Sequence, residues 1–128
     1  MTVPRVLAVD DEPDIRLLIE LLLGQAGYDV ETVGTGEAAI HRIADSVPDL
    51  LLLDIFLPGM SGWDVAIDLQ AQGLLPALPI LMLSAHADPH AGDRAKALGC
   101  RGFLTKPFDP DSLVEQVEAV LEGAPPVP

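Results

Sequence analysis

The chain has 128 residues, and its 20 Asp plus Glu against seven Lys plus Arg leave a formal net charge of −13 with three His neutral. That length and the 49% of apolar residues support one domain with a real core and exclude a disordered chain, while no apolar run approaches the roughly 18 residues of a membrane helix. The single cysteine, Cys100, excludes a disulfide framework or a cysteine-rich zinc site, the surplus negative charge argues against nucleic acid as a direct ligand, and Met1-Thr2-Val3-Pro4-Arg5 has no signal arrangement, so a cytoplasmic domain without a membrane partner is expected.

Taken in chain order, strands and helices alternate. Val6-Leu7-Ala8-Val9 is a short apolar run that stops at Asp10-Asp11. Ile15, Leu18, Ile19 and Leu22 then mark a helical face, with Pro13 suited to the first turn and Gly27 past the end. Residues 28–33 predict a second strand, broken by Gly34-Thr35-Gly36. A helix follows from about Glu37, carrying Ala39, Ile40 and Ile43. Residues 49–54 predict a third strand, apolar on consecutive positions, which implies burial on both faces and hence a parallel sheet. A turn-rich loop, Leu57 to Gly62, leads to a helix over 63–72 with Val65, Ile67 and Leu69. Residues 79–83 predict a fourth strand ending at Ser84. The stretch 88–98 is a weaker helix, favoured by Ala91, Ala95 and Leu98 and eroded by Pro89 and Gly92. Residues 102–104 form a short fifth strand before Lys106-Pro107, a candidate for a cis bond. Leu113, Val117, Val120 and Leu121 mark the last helix. Residues 1–123 are expected to form the domain, and the proline-rich 124–128 a stiff tail or the start of a linker.

Five strands alternating with five helices predict an α/β, doubly wound, five-stranded parallel sheet, the flavodoxin-like arrangement. Ligands collect at the carboxyl ends of such strands. Those ends carry Asp10-Asp11, Asp54, Ser84 and Lys106. With strand order 2-1-3-4-5, the three aspartates converge. Two carboxylates about 4 Å apart repel by about 4 kcal/mol at an effective dielectric near 20, so the cluster calls for a cation. Carboxylates, waters and a carbonyl suit Mg²⁺, with Mn²⁺ able to stand in. Strand-end aspartates also cap helices, and for Asp11 alone that plain role suffices. Lys106, one of only two lysines, at a strand end is more informative. Carboxylates, a divalent ion, a hydroxyl and an ammonium together suit phosphoryl transfer.

Val9-Asp10-Asp11-Glu12, Asp54 followed by Pro58 and Gly62, Ser84-Ala85, and Lys106-Pro107-Phe108 together resemble a response regulator receiver domain, from the first strand to the last helix. The resemblance implies a phosphoacceptor signalling domain of a two-component or phosphorelay system. It implies Asp54 as the phosphorylated residue, and Asp54, Ser84 and Lys106 as the residues that carry the chemistry. It implies Asp11, Asp54 and the Phe56 carbonyl as direct Mg²⁺ ligands, with Asp10 acting mainly through water. Ser84 and Phe103 match the switch pair that rearranges the surface of helix four, strand five and helix five. Phe103 reads equally well as a packed strand residue. Phe56 and His86 hold the positions that tune access to the phosphoryl group. A phenyl ring cannot orient an attacking water, so a long-lived phosphorylated form is expected. The implied partners are a histidine kinase or phosphotransfer protein and a downstream protein or output domain, with a homodimer on phosphorylation left open.

Other functions fit less well. A Mg²⁺-dependent phosphohydrolase with an aspartate nucleophile is the alternative, yet it would want a second aspartate where Phe56 stands. A flavodoxin-like redox protein would want a hydroxyl- and glycine-rich phosphate loop where Asp10-Asp11-Glu12 stands, and a degenerate receiver would lack site residues that are all present. Cys100, Trp63 and Tyr28 read as packing residues. His41 and His90 read as surface.

Overall fold

The computed structural model describes residues 3–75, 77–84 and 90–123. The element order is β1 (Arg5–Val9), α1 (Pro13–Gln25), β2 (Asp29–Val33), α2 (Gly36–Asp45), β3 (Leu50–Asp54), α3 (Gly62–Ala71), β4 (Ile80–Ser84), α4 (Ala91–Leu98), β5 (Gly102–Thr105) and α5 (Pro110–Leu121). The five strands form one parallel sheet in the order β2-β1-β3-β4-β5. Topology and fold class are those the alternating pattern predicts.

The pleat sorts the consecutive apolar residues onto two faces. Leu7, Val9, Leu51, Leu53 and Met82 pack on one side with Ala39, Ile43, Val65, Leu69 and Ala95 of α2, α3 and α4. Val6, Ala8, Leu50, Leu52, Leu81 and Leu83 pack on the other with Ile19, Leu23, Leu113 and Val117 of α1 and α5. Every residue of β3 is buried, so the run Leu50-Leu51-Leu52-Leu53 serves both layers at once.

Most element ends shift by a residue or so from the expected ones. β2 starts at Asp29 because the Tyr28 amide still closes α1, donating to the Leu23 carbonyl at 3.1 Å. α2 starts at Gly36, since the Thr35 hydroxyl accepts the Ala38 amide at 3.1 Å and caps the helix. Ser61 does the same for α3, in a capping box with Asp64. α4 begins at Ala91, three residues later than the expected 88, with His90 in the capping position and no side-chain cap; residues 88 and 89 lie outside the described residues. The tail over 124–128 also lies outside them. The Lys106-Pro107 bond is cis.

Candidate functional site

The carboxyl ends of β1, β3, β4 and β5 meet at one rim of the sheet. The pleat gives Asp54 the same facing as Leu50 and Leu52, and continued pairing beyond β1, where the Asp10 amide donates to the Val33 carbonyl at 3.2 Å, keeps Asp10 in line with Val6 and Ala8. Both carboxylates are buried, Asp10 at 0% and Asp54 at 3% exposure, and Ser84 at 1% is the other buried polar residue among those described.

Burial of two carboxylates demands compensation. Lys106 supplies it. Its ammonium, itself largely enclosed, is ion-paired with Asp10 Oδ2 and lies 3.0 Å from Asp54 Oδ2. The other oxygens take main-chain donors: the Glu12 amide reaches Asp10 Oδ1 at 2.9 Å, and the Phe56 amide reaches Asp54 Oδ1 at 3.1 Å. The Lys106 amide donates to the Ser84 carbonyl at 2.6 Å, which ties the residue bearing the ammonium to the residue bearing the hydroxyl. Burial raises the Asp54 carboxyl above its ordinary range, and the Lys106 ammonium and Phe56 amide offset that only in part. Burial pushes the Lys106 ammonium down, but its bonds and charge contacts with Asp10 and Asp54 outweigh this and leave it raised.

Asp11 stands apart from that buried pair. It is exposed, and it groups with Asp10 and Glu12, each offering a carboxylate oxygen within 4.8 Å of the others; Asp54 is not a member of that trio. The set is all hard oxygen, with two exposed members at the mouth, and so fits Mg²⁺ or Mn²⁺ and suits softer metals poorly. Glu12 is a residue the sequence reading did not single out. Its carboxylate lies 3.8 Å from the Lys106 ammonium, and the signal for it was the third acid of an unbroken run. Arg16 was also missed: its guanidinium donates to the Asp10 carbonyl at 2.7 Å.

The Phe56 ring is exposed, at 56% for the residue. Phe103 is half-buried against the layer that holds Met82 and Ala95, and lines a cleft of about 130 Å³ together with Gly92, Lys96 and Cys100. His86 lies outside the described residues. Gly62 crosses directly behind the end of β3: a Cβ there would lie 2.2 Å from the Asp54 carbonyl oxygen, so glycine is required for the approach. Trp63 packs in the core with the Arg94 guanidinium 4.5 Å from its ring centre, and Cys100 is buried, as packing roles predict. His41 and His90 are exposed.

A doubly wound sheet with a buried aspartate pair and a lysine at its carboxyl rim defines an acidic-pocket α/β domain. Comparison with known proteins gives the family. Residues 6–118 match the response regulator receiver domain, and the chain belongs to that family. It is 38% identical over 117 residues to the alkaline phosphatase synthesis transcriptional regulatory protein PhoP of Bacillus subtilis, an alignment covering 91% of this chain and 48% of that protein. It is likewise 38% identical over 121 residues to the phosphate regulon transcriptional regulatory protein PhoB of Pseudomonas aeruginosa, covering 94% and 53%. The structure of the chemotaxis protein CheY4 of Vibrio cholerae superposes with a TM-score of 0.86 at 34% identity, covering 93% of this chain and 99% of that one. The chain spans about half the length of the curated relatives it matches. It is a receiver domain of the two-component response regulators, a signalling family. No helix among the described residues is long and apolar enough to cross a membrane.

Proposed function

We propose that residues 1–123 act as a Mg²⁺-dependent phosphoacceptor and that Asp54 is the residue phosphorylated. The observation that carries this is the pinning of the Asp54 carboxylate, buried at the rim between a main-chain amide and the Lys106 ammonium. A carboxylate oxygen of Asp54 attacks phosphorus, the bond from phosphorus to the donor breaks, and the donor departs with the electron pair. Lys106 then shifts its contact from the carboxylate to a phosphoryl oxygen, and the Ser84 hydroxyl donates to another. Asp10, Asp11 and Glu12 offer the carboxylates, and with them Asp54 and the Phe56 carbonyl, that would hold the metal; when bound it neutralises the charge that builds on the phosphoryl oxygens.

Ser84 moving toward the phosphoryl group, with Phe103 turning into the cleft beside it, links the site to the α4–β5–α5 surface. The donor is a histidine kinase or phosphotransfer protein in the cytoplasm, and the surface controls a downstream protein or an output domain joined through 124–128. Incubation with acetyl phosphate and Mg²⁺, followed by intact mass, tests the reading. One added phosphoryl group is expected, absent in Asp54→Asn and absent with chelator. An unshifted mass in the wild type, or a shift that persists in Asp54→Asn, would overturn it.

A further inference from the structure

The contact between Arg16 and the Asp10 carbonyl carries an inference beyond the acceptor itself. The other polar groups of Asp10 are held elsewhere: the amide by Val33, Oδ1 by the Glu12 amide and Oδ2 by Lys106. The 2.7 Å bond from Arg16 Nη1 therefore takes the remaining one, the carbonyl from which the acidic turn departs. Arg16 is the fourth residue of α1, close to the positive end of the helix dipole and so an unfavourable place for a cation. In a chain with seven Lys and Arg in all, one placed there calls for a specific reason.

Gly34 supplies the second half of the arrangement. It lies in the turn after β2 and is not among the glycines with positive φ, so backbone conformation does not account for it. Space does. A Cβ at Gly34 would lie 3.1 Å from Arg16 Nη1 and 3.7 Å from Cζ, so an added methyl would press the guanidinium by a few tenths of an ångström.

Resting on the metal-dependent reading above, we propose that Arg16 is a positioning residue: seated on Gly34, it holds the Asp10 carbonyl and thereby fixes the turn from which Asp10, Asp11 and Glu12 present their carboxylates to a divalent cation. Three like charges crowded within 4.8 Å push the turn open, and the tether opposes that. The charge of Arg16 acts the other way, since it repels an incoming cation. The two effects have opposite signs, which makes them separable.

Calorimetric titration of the whole chain with Mg²⁺, alongside urea unfolding without metal, decides the matter. Arg16→Ala is expected to weaken Mg²⁺ binding about tenfold, the usual scale for losing a residue that orients a metal ligand, and Gly34→Ala, which only crowds the guanidinium, to weaken it by less. Arg16→Lys, which keeps the charge but not the planar fork, recovers part of that loss. Tighter binding in Arg16→Ala with Gly34→Ala unchanged would mean that only charge matters, and would overturn the proposal. So would lowered urea midpoints with unchanged Mg²⁺ affinity, the mark of a purely structural residue. If Arg16→Ala does not fold, Arg16→Gln, which removes the charge and the fork but keeps most of the stem, decides in its place. A wild type indifferent to Mg²⁺ overturns the metal-dependent reading and this proposal with it, whereas tight wild-type binding that none of the variants disturbs overturns this proposal only.

Discussion

The β3–α3 half of the rim and the α4–β5 half are built to different standards. All five residues of β3 are buried, against Leu104 alone among the four of β5. α3 opens on a capping box and buries Trp63, Val65 and Leu69; α4 has eight residues, no side-chain cap, and buries only Ala91 and Ala95. Two clips hold the halves together along their seam, Arg94 on the Trp63 ring and the Gln70 side-chain amide on the Leu98 carbonyl at 3.2 Å. Asp54, the proposed acceptor, thus stands on the part that yields least, and the strand before Lys106 belongs to the part where local rearrangement costs least.

Lys106→Met should give the largest effect, because it strands two buried carboxylates at the junction of the halves. A loss of about 4 kcal/mol is expected in urea unfolding at neutral pH. The deficit should shrink as the solution is acidified and Asp54, already raised by burial, takes a proton. A deficit unchanged by pH would mean that the ammonium does not compensate the carboxylates.

Truncations probe the asymmetry itself. Leu53→Ala, in the fully buried strand, should cost about 3 kcal/mol, while Leu98→Ala in α4 should cost less than about 1 kcal/mol. Equal losses in urea unfolding would erase the distinction between the halves.

The lighter half should also carry part of the loss of stability in alkali. Burial pushes the Cys100 thiol up from 9.0 to about 11. The thiol's contribution to stability is full below pH 9.0 and is lost as pH rises through about 11, for a total of about 3 kcal/mol. Cys100→Ala should flatten the urea midpoint between those pH values relative to wild type; an alkaline limb that persists unchanged would place the weak point elsewhere.

The smallest effect is kinetic. Phe56 is the exposed residue next to the rigid strand, and an asparagine there can hydrogen-bond an attacking water. Phe56→Asn is expected to shorten the lifetime of the phosphorylated form by a factor of about ten, on the order of 1 kcal/mol in barrier. Decay of acetyl-phosphate-labelled protein, followed by mass, reads it, and equal lifetimes would show that the ring does not shield the bond.

Much of this was legible in the chain. The leucine run at 50–53 announced a strand covered on both sides, and Asp10, Asp54, Ser84 and Lys106 each closed an apolar run, which placed them at one rim once the winding order was assumed. Arg16 and Gly34 were not legible as a pair, because an arginine in a helix and a glycine in a turn each have an ordinary local explanation. Glu12 was hidden in the same way by the two acids before it.

Periodicity determined the elements, their number and the parallel sheet, because burial imposes spacing along the chain whatever lies across the fold. Tertiary structure decided the partnerships. That Lys106 bridges Asp10 and Asp54, that Asp11 turns out to the mouth with Glu12, and which guanidinium lies against a missing Cβ are matters of distance in space. Coulomb and steric forces act over a few ångströms between residues as many as 96 positions apart, as Asp10 and Lys106 are, and no local pattern records them.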